Sequence, residues 1–181
     1  MAKVKILIEG YSGGETKGHS CSTIVLIQDK GINIVVDPGT LPNQNLLKDK
    51  LKQENLTVKD ITHVFITHSH MDHYRNIGMF PTAKTIDFWG LWEGDVWKKQ
   101  DKKITKDISF VKTAGHSDDS VTLLVKTKKG VIAICGDVFW KKNMPEKDNF
   151  ANDHLKLNQS RKKILELADY IIPGHGGMFK V

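Results

Sequence analysis

The sequence predicts an α/β fold in four layers, αββα, with two β-sheets packed face to face and helices covering both outer faces. Two observations predict it. Strand-like runs come in two batches, each followed by a helical stretch, which is how a chain builds two sheets and covers each in turn. The 181 residues are 39% hydrophobic and 27% charged, and no repeat, low-complexity tract or linker divides 1–181, so one domain with a sizeable core is expected.

The elements follow in order. Residues 3–9, 22–28 and 32–36 are β-branched, mostly apolar runs that read as strands. Asp37-Pro38-Gly39 ends the third run as a turn should. Residues 43–54 carry helical spacing, with Asn43 placed to cap it. Residues 61–66 form the next strand and lead directly into a histidine-rich loop. The stretch 84–112 mixes weak strand signals with lysines and contains Trp89, Trp92 and Trp97. Strong strands at 120–126 and 131–135, a helix over 153–168 and a short strand at 169–172 complete the chain.

Composition excludes some classes. No apolar run approaches the roughly 20 residues that span a bilayer, so no membrane association is expected. The opening MAKVKILIEG reads as a strand and lacks the features of an export signal. Cys21 and Cys135 lie in apolar, strand-like runs and read as buried free thiols of a reducing compartment, so the cytoplasm is the expected location. The net charge of +6 raises the question of an acidic partner. Nearly all of the positive charge is lysine, however, and Arg75 and Arg161 are the only arginines. Lysines dispersed along a chain read more simply as solvated surface than as a phosphate track.

The chemistry concentrates at strand ends. Thr67-His68-Ser69-His70-Met71-Asp72-His73 follows the fourth strand. In extended chain, residues two apart point the same way, so His68 and His70 can grip one ion. If a helix follows, Asp72 and His73 come round to a neighbouring point. Four ligand-type side chains packed so closely would be costly to bury without partners, and a metal supplies the partners. Gly115-His116, Gly136-Asp137 and Gly174-His175 repeat one pattern of strand end, glycine, ligand. Taken singly each of these is an ordinary turn; beside the histidine cluster they supply the ligands it lacks. Imidazole with carboxylate suits zinc, with iron or manganese as alternatives.

The ordered set His68-x-His70-x-Asp72-His73, His116, Asp137, His175 resembles the metallo-β-lactamase superfamily, and the likeness runs from Asp37-Pro38-Gly39 to Pro173-Gly174-His175-Gly176. The resemblance implies two divalent ions per chain. It assigns His68, His70 and His116 to one, Asp72, His73 and His175 to the other, and Asp137 as the bridge. Asp37 resembles the family's buried aspartate that supports the ligands from beneath. The implied chemistry is hydrolysis by a bridging hydroxide, with Asp72 the catalytic residue that orients it.

Further stretches, among them Gly10-Tyr11-Ser12, Thr113-Ala114-Gly115-His116-Ser117 and Gly136-Asp137-Val138-Phe139, resemble the family of metallo-β-lactamase domain-containing protein 1 and its small prokaryotic relatives. One departure stands out: Arg75 occupies a position where the family usually has glycine. The span between Asp137 and His175 leaves no room for the domain inserted in mRNA-processing nucleases, and with six residues after His175 a helical domain like that of glyoxalase II is not expected.

Two functions stand open. One is hydrolysis of a small ester, thioester, lactone or amide, with a small-molecule partner. The other is cleavage of single-stranded RNA, with lysines as a backbone track and tryptophans as stacking platforms. A non-hydrolytic metal or redox protein is a third. The dispersed lysines favour the first. For substrate contacts, His19 in the polar loop 12–20 and Trp89 and Trp92 in the segment 88–97 are the candidates. The tryptophans read either as a substrate lid or as buried caps on the sandwich core. His63 and His154 are not expected to bind metal.

Overall fold

The computed structural model describes residues 1–13, 16–142 and 148–181. Strands β1 (Lys3–Ile8), β2 (Ile24–Asp29) and β3 (Ile32–Val36) pair antiparallel in sequence order. Strand β4 (His63–Phe65) adds parallel to β3, and β5 (Lys84–Ile86) adds parallel to β4. Strands β6 (Leu91–Glu93) and β7 (Val96–Lys98) close this sheet as an antiparallel hairpin. The second sheet has the order β12-β11-β10-β9-β8. It is made of β8 (Ile108–Lys112), β9 (Val121–Thr127), β10 (Gly130–Ile134), β11 (Tyr170–Ile172) and β12 (Phe179–Lys180), with β10 and β11 the parallel pair.

The strand period of two divides the side chains between layers. Val25, Ile27, Ile34, Val36 and Phe65 of the first sheet meet Ile108, Leu123, Val125, Ile132, Ile134 and Ile172 of the second in one buried cluster. The alternate residues Ile24, Leu26, Val35 and Val64 face outward and pack under Leu47 and Leu51 of helix α1 (Asn45–Gln53). Ala133 and Ile171 likewise face Leu157 and Ile164 of helix α3 (His154–Leu167). Helix, sheet, sheet and helix therefore stack in the αββα order that the sequence implies.

Strand direction places the chemistry. β3 and β4 run parallel, as do β10 and β11, and β8 shares the direction of β10 because each is antiparallel to β9. The segments leaving the C-terminal ends of β4, β8, β10 and β11 carry His68 to His73, His116, Asp137 and His175 respectively. In open α/β sheets this end of the strands is where ligands gather.

Some expectations need correction. Helix α1 has Gln44 at its N-cap, and Asn43 contributes one residue earlier by accepting from the Asn45 N–H at 2.9 Å. The segment 84–112 resolves into β5, the β6–β7 hairpin and β8. Its tryptophans are not buried caps of the core: Trp89, Trp92 and Trp97 are 66%, 37% and 50% exposed. The hairpin is the outer edge of a sheet, so nothing packs across its far side. Among the described residues no helix is long and apolar enough to cross a membrane.

The sandwich centre can be tested directly. Phe65 is fully buried, with its ring edge-on to Phe110 at 5.6 Å between centroids. Phe65→Ala should cost about 3–5 kcal/mol in chemical denaturation. Leu155→Ala, at an exposed position of α3, should fall within about 0.5 kcal/mol of the parent. Equal losses would mean that the load-carrying core lies elsewhere.

Candidate metal centre

The histidine cluster begins where β4 ends. His70 still has extended backbone, and a single turn of helix, α2 (Met71–Tyr74), follows at once. This change of period sends His68 and His70 to one side and brings Asp72 and His73 round beside them. From the second sheet, Asp137 arrives on a 3-10 turn, Gly136–Val138, immediately past β10. The glycines here are required by space. A Cβ on Gly174 would lie 1.8 Å from Asp137 Oδ1, and one on Gly136, whose φ is +51°, would lie 2.3 Å from Thr67 Oγ1. Arg161 steadies the turn by donating from Nε to the Val138 carbonyl at 2.9 Å.

The seven candidate ligands form two groups. His68, His70, His116 and Asp137 offer ligand atoms that all lie within 4.8 Å of one another, as do Asp72, His73 and His175. Within the first group His70 Nδ1 stands 3.0 Å from His68 Nε2 and 3.1 Å from His116 Nε2. Asp137 lies between the groups. Its Oδ1 faces His73 Nε2 at 3.3 Å and His175 Nε2 at 3.4 Å, while Oδ2 faces His116 Nε2 at 3.4 Å. His175 Nε2 is also 3.5 Å from Asp72 Oδ2.

Each buried imidazole is oriented through its other nitrogen. His73 Nδ1 meets Asp37 Oδ2 at 2.8 Å, His116 Nδ1 meets Asp148 Oδ2 at 2.7 Å, and His175 Nδ1 meets the Cys21 carbonyl at 3.0 Å. His68 Nδ1 lies 3.1 Å from the Thr67 hydroxyl. Such contacts place the proton on Nδ1 and leave the Nε2 lone pair for an ion. Asp37 also accepts the Thr67 N–H at 2.8 Å and the Thr67 hydroxyl at 2.6 Å. It does so from a left-handed backbone, φ +48°, a conformation that aspartate tolerates better than most residues.

Electrostatics favour a cation at this point. Burial, then the neighbouring His73 charge, push His68 well below the ordinary imidazole pKa, which keeps it neutral and able to ligate. Burial opposes charge on Asp137 and on His73 alike, yet their pairing outweighs it. His73 and His175 hold Asp137 well below the usual carboxylate range, and Asp137 and Asp37 lift His73 well above its own. His73 Nε2 and Asp137 Oδ1 are buried with no hydrogen-bond partner among the described residues. A metal ion would supply the positive charge and a partner for both atoms. The donor set fits such an ion.

Five of the ligands, His70, Asp72, His116, Asp137 and His175, line an open basin of about 590 Å³. His70 and Asp72 retain solvent exposure there, and the Ser20 hydroxyl donates to Asp72 Oδ2. His19 lines this basin, whereas Gly14 and Glu15 of its loop lie outside the described residues. Trp89 lines a separate cavity of about 190 Å³ with His68, Ser69 and Asp119, and Trp92 lines neither space. The aromatic wall of the basin is Trp140 with Phe150, stacked at 5.3 Å, and Trp140 lies 6.1 Å from His116 and 6.0 Å from His175 between centroids. These two and Asp148 escape a reading of the sequence. Trp140 had a signal, standing three residues beyond Asp137, but Asp148 and Phe150 lie in an irregular stretch with no periodicity. His63 sits on β4 against the Thr62 hydroxyl at 2.9 Å, apart from both ligand groups.

Comparison with known proteins agrees with this geometry. Residues 20–111 match the family described as the metallo-beta-lactamase superfamily. Metallo-beta-lactamase domain-containing protein 1 of Xenopus laevis is 30% identical over 98% of this chain and 81% of its own length. Four further relatives are longer, and the chain spans between 49% and 63% of each. Among solved structures, a metallo-beta-lactamase candidate from Thermotoga maritima covers 99% of both chains with a TM-score of 0.78 at 21% identity. AidC, a dizinc quorum-quenching lactonase, covers 85% of this chain and 72% of its own, with a TM-score of 0.67 at 19% identity. These two likenesses concern the fold. With half of its length matched by the family model and a relative at 30% identity along nearly all of it, the chain belongs to the metallo-beta-lactamase superfamily.

Proposed function

We propose that the chain is a hydrolase that holds two divalent ions, zinc foremost, and cleaves a small ester, thioester, lactone or amide. The observation that carries this reading is Asp137, whose two oxygens face two separate sets of ligands. His68, His70 and His116 would hold one ion and Asp72, His73 and His175 the other, with Asp137 shared between them. When bound, such ions lower the pKa of water to about 7 and polarise a carbonyl under attack.

The chain's own residues supply the rest. Asp72 is the accessible carboxylate of the site, its side chain 24% exposed against 5% for Asp137. It is therefore the group placed to take up a proton from water and orient it, with the Ser20 hydroxyl fixing Oδ2, the oxygen that faces His175. Trp140 and Phe150 give an acyl group an apolar face beside the ligands. The basin volume suits a small molecule, whose sites run from about 300 to 1,000 Å³. None of its described lining residues is lysine or arginine, so a phosphate backbone would find no cation there besides the ions. That favours a small molecule over single-stranded RNA.

The experiment loads the protein with zinc and assays carbonyl substrates beside single-stranded RNA. Elemental analysis should approach about two equivalents of zinc per chain. Cleavage of RNA with none of the carbonyl substrates would replace this reading with the nuclease one, and absence of bound metal would remove both.

Three variants probe the roles. Asp72→Asn keeps the shape but loses the charge, and turnover should fall at least about 100-fold with the fold intact by circular dichroism. Gly174→Ala drives a methyl group into Asp137 Oδ1, so zinc content should drop and turnover with it; a full metal complement would show that the bridge tolerates displacement. Trp140→Ala should raise KM about tenfold for an apolar acyl substrate, the scale of one lost aromatic contact, while Trp92→Ala leaves KM unchanged.

A further inference from the structure

A second cavity adjoins the metal basin, and His19 and Ser20 line both. Its other lining residues include Tyr11, Thr40, Gln44, Arg75 and Asn76, and among the described residues no aspartate or glutamate lines it. Arg75 is exposed, and among the described residues no hydrogen bond, ion pair or ring contact engages its guanidinium. The other arginine is differently placed: Arg161 is half-buried and donates to the Val138 carbonyl beneath the metal ligands.

Helix geometry puts Arg75 beside the chemistry. It caps α2, three residues after Asp72. Residues at that spacing lie on one face, with Cβ atoms roughly 5–6 Å apart. Asp72 thus looks into the metal basin and Arg75 into the space next to it, with the His19-Ser20 wall common to both. An arginine is charged at every physiological pH, and its planar fork matches a carboxylate with two parallel hydrogen bonds. A single guanidinium, with no lysine among the described residues that line either cavity, suits one anionic group rather than a polyanion.

We infer that Arg75 forms an anion subsite for the substrate, so that the hydrolysed molecule carries a carboxylate on the part remote from its scissile carbonyl. This rests on the proposed hydrolase reading for its location and names the substrate class more closely. Gln44 and Asn76 hold the wall of the subsite through their 3.2 Å side-chain hydrogen bond, and Asn76 is tied in turn to the Pro38 carbonyl at 3.3 Å. The subsite wall is thereby anchored to the turn that carries Asp37.

The test uses zinc-loaded protein and its Arg75→Gln and Arg75→Lys variants. The substrates are aryl monoesters of succinate, glutarate and adipate, each paired with the corresponding methyl-capped diester. For at least one chain length, wild type should favour the free carboxylate in kcat/KM by about tenfold, the scale of a charge-assisted hydrogen bond. Arg75→Gln should abolish that preference while the methyl-capped ester keeps its rate and the zinc content stays unchanged. Arg75→Lys should restore part of it. Equal loss on both substrates in Arg75→Gln, or a wild-type preference for the capped ester, would overturn the inference. Should neither ester turn over, the ester branch of the hydrolase reading fails and binding decides the subsite. The same dicarboxylates must then raise the melting temperature of wild type more than that of Arg75→Gln, and equal or absent shifts would dismiss the anion subsite as well.

Discussion

The contact on which the rest of the structure depends is the meeting of Asp137, from the second sheet, with the imidazoles of His73, from the first, and of His116 and His175. Two sheets packed through apolar side chains can slide with little penalty, since burial has no direction. A buried carboxylate cannot. Its oxygens must find partners, or the interior carries a cost of several kcal/mol. Register between the sheets is therefore fixed at one end, where the strands that bear ligands finish together. The backbone reinforces it: the Thr23 N–H, just before β2 of the first sheet, donates to the Gly174 carbonyl in the loop of the second sheet that bears His175.

The same polar end explains why so many neighbouring groups look overcommitted. His68, His73, His116 and His175 are each at most 2% exposed. Rings this close and this buried cannot all carry charge: burial and its neighbours hold His68 well below the ordinary imidazole range, while Asp137 and Asp37 overcome burial and lift His73 above it, the positive charge that a bound ion would replace. Asp37 and Asp148 stand behind His73 and His116, so negative charge lies outside the ring of nitrogens while Asp137 lies at its centre. A divalent cation is the species that satisfies both shells, because it accepts lone pairs from the rings and charge from the carboxylates at once. The left-handed backbone of Asp37 costs of order 1–3 kcal/mol. Three hydrogen bonds received by its carboxylate offset that strain.

How much of this was legible in the sequence follows from where each signal is local. Alternation along residues 24–29 and 130–134 separates inward from outward side chains without any knowledge of the partner sheet, so the layers could be read directly. The cluster from His68 to His73 is likewise self-contained, and Gly136 and Gly174 stand beside their ligands in the chain. Asp148 is different. It lies 32 positions from the His116 ring that it orients, in a stretch whose course depends on how α3 docks. The reading of Trp89, Trp92 and Trp97 as buried caps failed for the opposite reason. Local composition suggests burial or a lid, but the β6–β7 hairpin is an edge, and whether an edge is covered is decided by the rest of the molecule.

A division of labour within the fold follows from these placements. Ligands sit on strand ends or one helical turn away, held by rings of hydrogen bonds that leave them little freedom. The walls of the basin come from irregular chain instead: the loop with His19 and Ser20 on one side, Trp140 and Phe150 on the other. Loops can change sequence without disturbing sheet register, so substrate shape can diverge while the metal geometry stays constant. Arg75 lies on the boundary between these two regimes. It belongs to the helical turn that begins with the ligands, so its backbone is as well placed as theirs, yet its side chain reaches the variable wall. If Arg75 holds an anion as proposed, a substitution there would change which substrates are accepted while leaving the ligand set itself untouched, so specificity and metal binding can be tested apart.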